Sequence, residues 1–103
     1  MRKANIYMQG MLAAELTEEV AGKNYGLKYV PEYQGPPISL TLPIKSTEYR
    51  FEEFPPVLDG LLPEGNQLEG LLRHQKIDEG DYFSQLMAVG KELVGAMTVE
   101  PAP

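Results

Sequence analysis

One histidine, three serines and three adjacent carboxylate pairs are the residues here that could carry acid–base or nucleophilic chemistry. His74 stands in Arg73-His74-Gln75-Lys76, on the polar side of a helical pattern, where a histidine is usually solvated. Ser39, Ser46 and Ser84 have no base beside them in sequence, and none sits in a Gly-x-Ser-x-Gly elbow. Glu18-Glu19, Glu52-Glu53 and Asp78-Glu79 are neighbours in sequence and read as solvated faces. A hydrolase built on paired carboxylates needs two acids flanking a cleft, for which a chain this short has little room. Cysteine is absent, which excludes disulfides, thiolate nucleophiles, iron–sulfur ligation and cysteine-based zinc sites. No histidine–carboxylate spacing suits a metal, and the glycine-rich nucleotide loops and kinase catalytic motifs are missing. The expectation is a protein without catalysis, cofactor or metal.

Function must then lie in a surface, and the bulk properties say which kind. A length of 103 residues predicts one domain over residues 1–103, able to bury roughly two-thirds of its unfolded surface. Nine basic against fifteen acidic residues give a net charge of −6, which opposes direct nucleic-acid binding and suits a basic protein surface. The start, MRKANIYMQG, has no apolar run behind its basic residues, so it is not a signal peptide. No stretch approaches the ~20 apolar residues that span a bilayer, and a cytoplasmic location is expected. Tyr7, Tyr25, Tyr29, Tyr33, Tyr49 and Tyr82 are many for this length. Basic residues do not interleave with them, so they read as core or rim, with one or two at an interface.

The elements follow from periodicity. Ala4, Ile6 and Met8, then Leu12, Ala14 and Leu16, alternate around Gln9-Gly10 and predict a β-hairpin. A loop near residues 21–24 leads to a strand with Tyr25, Leu27 and Tyr29, closed by Pro31. PEYQGPP is a loop; ISLTLP alternates again and predicts a strand with Ile38, Leu40 and Leu42 inward; residues 45–50 are a polar connection. From Tyr49 the period changes, and Phe51, Phe54, Val57, Leu58, Leu61 and Leu62 follow helical spacing. One helix is expected from near Pro55 to Leu61-Leu62-Pro63, and a second capped by Asn66 with Glu69 three residues on, carrying Leu68, Leu71 and Leu72 on its apolar face. A third is expected to be capped by Asp81 and stopped by Gly90 as a C′ glycine, and a final strand to lie in ELVGAMTVE. Strands, then helices, then a returning strand make an α+β fold: a small antiparallel sheet begun by a β-hairpin, three short helices on one side, and the C-terminal strand back in the sheet.

Four blocks, GLKYVPEY, ISLTLPI, FEEFPPVLDGLLPEG and FSQLMAVGKELVGAMTVEP, stand in the order found in the N-terminal subdomain of HipA-type serine/threonine kinase toxins, which this sequence resembles. The matching residues are Lys28, Tyr29 and Pro31, Ser39 to Pro43, Phe54 to Gly65, and Val89 to Pro101. Such kinases continue for roughly two further domain lengths that carry their chemistry, and nothing of that kind is in these residues. The resemblance therefore points to the three-gene HipBST arrangement, in which the kinase HipT is short and the missing subdomain is a separate antitoxin, HipS. It implies a protein that binds a HipT-type kinase and neutralises it, beside the DNA-binding HipB. It further implies that the corner Leu62, Pro63, Glu64, Gly65, Asn66 and Gln67 turns toward the kinase, although the same corner also serves as a helix stop and loop. Two other roles stay open: an accessory subunit assembling a toxin–HipB–operator complex, and a detached fragment of a one-chain kinase.

Overall fold

A computed structural model describes residues 1–93 and 96–102. Its sheet contains five antiparallel strands, β1 (Arg2–Met8), β2 (Met11–Val20), β3 (Lys23–Tyr29), β4 (Tyr49–Phe51) and β5 (Met97–Pro101), in the order β4-β3-β2-β1-β5. Gln9 and Gly10, both at positive φ, close the first hairpin as a tight two-residue turn whose twist matches that of the strands. Register alternates cleanly. Ala4 faces Leu16, Ile6 faces Ala14 and Val99, and Leu16 faces Leu27, all buried, while the intervening Asn5–Glu15 and Glu15–Lys28 pairs lie on the opposite face. An irregularity between Ile6 and Tyr7 inserts Ala13 as an extra residue, and its carbonyl accepts the Val30 N–H at 2.9 Å.

The helices α1 (Pro56–Asp59), α2 (Gly65–Gln75) and α3 (Tyr82–Val89) follow, with a 3₁₀ turn at Gly90–Glu92. Leu58 of α1 and Phe83 and Leu86 of α3 join Ile6, Leu16, Tyr25, Leu27 and Val99 in one core, so the inward face of the sheet is the helix side. Each fully buried leucine there contributes about 1.5–3 kcal/mol relative to exposure. Asp81 caps α3 as expected, accepting the Ser84 N–H. The α+β architecture read from the sequence is the one observed.

Several local expectations differ. ISLTLP is no strand: Ile38 and Leu42 are buried but Leu40 is 96% exposed, and only a Ser39–Leu42 bridge closes the segment as a turn. Tyr29 takes the backbone groups that a neighbouring strand would have used. Its hydroxyl accepts the Ile38 N–H at 2.9 Å and donates to the Leu42 carbonyl at 2.5 Å, while Tyr49 donates to the Pro43 carbonyl at 2.6 Å. The connection expected at 45–50 holds the start of β4, which pairs with Tyr25–Leu27 of β3. The helix expected from Pro55 to Leu62 is one turn, Pro56–Asp59, continued by single turn-like bonds through Leu62. Gly90 is no left-handed C′ glycine, since its φ is −59°. It is glycine because a β-carbon there would fall 2.1 Å from the Val99 carbonyl oxygen. Of the strand expected in ELVGAMTVE, Met97 onward is β5, Glu92 ends the 3₁₀ turn, and Val94 and Gly95 lie outside the described residues.

Candidate partner-binding surface

The corner between α1 and α2 is built by two backbone choices. Leu61 and Leu62 donate to Leu58 and Asp59 carbonyls at 3.0 and 3.2 Å and rest half-buried against the core. Pro63, also half-buried, breaks that series because it has no N–H to donate. Glu64 is extended (φ −131°, ψ 164°) and Gly65 takes φ +58°, a left-handed setting that a β-carbon would strain even though the space around it is open. The reversal is thus complete before Asn66, and α2 begins two residues earlier than expected. Asn66 is therefore not the cap: Glu64 occupies that position, and no side chain caps the helix. Glu64, Gly65, Asn66 and Gln67 are all exposed.

Beyond the corner, α2 is only shallowly embedded. None of its residues is buried, and Leu68, Leu71 and Leu72 remain half-covered on one side. Among the other elements its principal packing partner is α3. Its C-terminal end is set by Lys76, left-handed at φ 54°, whose N–H bonds back to Leu72. The connection that follows is held by Gln85, 1% exposed, which donates to the Glu79 carbonyl at 2.8 Å. The result is an amphipathic helix whose leucine side is incompletely covered, with an exposed acidic and amide-bearing corner at its start.

A second polar cluster has catalytic residue types but not catalytic behaviour. The Arg2 guanidinium donates to Glu18 at 2.6 Å, Asp81 at 2.9 Å and Ser84 at 2.9 Å, and lies 4.7 Å over the Phe83 ring. Glu18, 3% exposed, also accepts from the Tyr25 hydroxyl at 2.8 Å and the Gly22 N–H at 3.2 Å. Burial alone would raise the Glu18 and Asp81 carboxyls, but the hydrogen bonds from Arg2 and its neighbours outweigh it and hold both below their ordinary values. The Tyr25 phenol is pushed up, first by burial and then by Glu18. Ser84 donates to Asp81 at 2.7 Å, but that carboxylate is also held by Arg2 at 2.9 Å, and exposed His74 is not in this hydrogen-bonded set. The cluster pins β1, β2 and β3 to the start of α3. Its sequence signal lay in parity: Arg2 alternates with Ala4 and Ile6, and Glu18 with Leu16 and Ala14, so both charges fall on the inward face.

The remaining chemical residues stay apart. Ser39 bonds locally to Thr41, Ser46 is exposed, and among the described residues no group of three or more histidine, aspartate or glutamate side chains could hold a metal. No described helix is long and apolar enough to cross a membrane. Tyr25, Tyr29 and Tyr33 are core residues, and Tyr82 is 42% exposed beside Phe54.

Comparison with known proteins gives this surface a context. The family model described as HipA N-terminal domain matches residues 4–100. An uncharacterised protein of Haemophilus influenzae is 31% identical over 97% of this chain and 92% of its own length. The serine/threonine-protein kinase toxin HipA of Shewanella oneidensis is 24% identical over 93% of this chain but only 22% of its own length. A solved structure, the N-terminal domain of HipA toxin, superposes with a TM-score of 0.76 at 28% identity, covering 100% of this chain and 94% of its own.

Proposed function

The chain belongs to the HipA N-terminal domain family, and from that membership we propose that it is a protein-binding antitoxin of the HipS kind. It seats on a HipT- or HipA-type serine/threonine kinase toxin and neutralises it by contact, without catalysis of its own, as one domain within a larger complex that includes a HipB-type DNA-binding protein. The contact is made by Leu62, Pro63, Glu64, Gly65, Asn66 and Gln67 together with the leucine side of α2.

The observation that carries this reading is α2 itself, an eleven-residue helix with three leucines and no buried residue. A helix gains most of its stability in a protein by burying its apolar face, and here that burial is left incomplete. The relatives supply the kind of partner. In the Shewanella kinase toxin the matched region is 22% of the chain, so there a unit of this type is joined to a far larger remainder. The Haemophilus relative, 92% of which is matched, is of about this chain's size. The net charge of −6 suits approach to a basic surface, so association with the kinase should slow as salt is added.

The test replaces Glu64, Asn66 and Gln67 together with alanine and measures rescue of cells from the kinase beside the melting curve of the isolated protein. Because Asn66 caps nothing, the melting temperature should hold while rescue falls. A triple variant that melts normally and still rescues fully would place the contact elsewhere.

A further inference from the structure

A groove of about 540 Å³ runs between the start of β1, one flank of α3 and the end of β5. That is within the ~300–1,000 Å³ of sites that seat a ligand-sized group. Arg2, Lys3, Phe83, Met87, Pro101 and Ala102 are among its walls. The Arg2 guanidinium is fully engaged with Glu18, Asp81 and Ser84, which makes that wall rigid and removes it as a free charge. What the groove offers instead is apolar: Phe83, half-covered Met87 and Pro101, while the Lys3 side chain is turned to the other face of the sheet, where its ammonium lies 4.0 Å from Glu15. At its lip the backbone is fixed, because the Ala102 N–H bonds to the Lys3 carbonyl at 3.0 Å.

The occupant follows from where the backbone leaves. The family is described as the HipA N-terminal domain, and in the Shewanella kinase toxin the matched region is 22% of the chain, so there the remainder of the chain runs on past the counterpart of the end of β5. The first residues of that remainder are therefore tethered at the mouth of this groove, at the high effective concentration a short tether imposes. We propose that the groove binds the N-terminal segment of the kinase partner, the segment that in a one-chain relative directly follows this domain, as an apolar strap beside Phe83 and Met87. This contact is separate from the corner at Leu62–Gln67 and rests on the kinase-binding reading above.

The experiment measures affinity between this protein and a HipT- or HipA-type kinase from the same genome, using the complete proteins as reference. Met87→Glu should weaken binding by about ten-fold or more, as loss of an apolar anchor does. A kinase lacking its first ~10 residues, the length of an extended recognition segment, should lose a similar factor. The two losses should not multiply when combined, because they remove the same contact. The kinase truncation leaves this protein untouched, so it decides the matter even if Met87→Glu unfolds. Tight binding of the truncated kinase, or losses that multiply in full, would overturn the groove proposal alone. Failure of the two complete proteins to associate would overturn the kinase-binding reading itself.

Discussion

The joint at Arg2 and the helix α2 are opposite solutions to placing side chains. At the joint every polar atom is answered: Glu18 is 3% exposed and accepts three hydrogen bonds, from Arg2, Tyr25 and Gly22. Along α2 no residue is buried, the N-terminus has no side-chain cap, and three leucines are only half-covered. The first arrangement stabilises the fold whether or not anything binds. The second leaves apolar surface only half-covered within the chain itself. If α2 is the recognition element proposed above, stability and recognition fall to different parts of one small chain, and mutations should separate them.

The largest effect should come from the body. Gly90→Ala forces a β-carbon against the Val99 carbonyl, a backbone atom that cannot rotate aside, so the 3₁₀ turn and β5 must part. The expected loss exceeds about 3 kcal/mol, at the upper end for one substitution; urea denaturation would show it, and a near-normal midpoint would mean β5 is looser than described. Next, Arg2→Met strands the buried Glu18 carboxylate. Removing one member of a buried pair costs ~3–5 kcal/mol, and partial hydration of the 39%-exposed Arg2 reduces this to about 2–3 kcal/mol.

The same joint sets the pH response. Glu18 and Asp81 have folded-state values below their ordinary 4.5 and 3.8, so their contribution is complete above those values and is lost as pH falls through them. Tyr25, raised above 10.0, acts at the other end: its contribution is present below that value and lost as pH climbs past it. Stability curves against pH should fall at both extremes, and Arg2→Met should flatten the acid limb. The smallest effect belongs to α2. Leu71→Ala should cost about 1 kcal/mol or less, against ~2–5 kcal/mol for Leu86→Ala in the core, and α2 amides should exchange with solvent sooner than those of α3. A Leu71→Ala cost equal to that of Leu86→Ala would erase the distinction between the two regions.

What was legible in the sequence was whatever depends on local pattern. Alternation gave the hairpin and β3, and Asp81 with the apolar spacing after it gave α3, because side-chain parity and a capping carboxylate act within a few residues. The corner was located correctly but its cap was not. Gly65 adopts a left-handed setting that completes the reversal before Asn66, and composition does not say which permissive residue will take the turn. The alternating ISLTLP failed as a strand for a long-range reason, since the Tyr29 hydroxyl, far off in sequence, captures its backbone groups. β4 escaped notice because three residues with Arg50 at the centre show almost no period, and Arg50 is satisfied on the outer face by Glu19 and Glu48. The joint was readable in principle from two charges at inward parity, but only once the strands around them were aligned.

Finally, β1 is paired on one side by its immediate successor, β2, and on the other by the last strand, β5. During synthesis the first pairing forms at once around a two-residue turn, whereas the second waits until residues through Pro101 have left the ribosome. Until then the outer edge of β1 is an unpaired template beside uncovered core residues such as Ile6, the kind of edge that recruits foreign strands. A nascent chain halted before Met97 should therefore be held by chaperones or aggregate, and refolding should show its slowest phase at the closure of β5 on β1, the pairing with the longest loop to close.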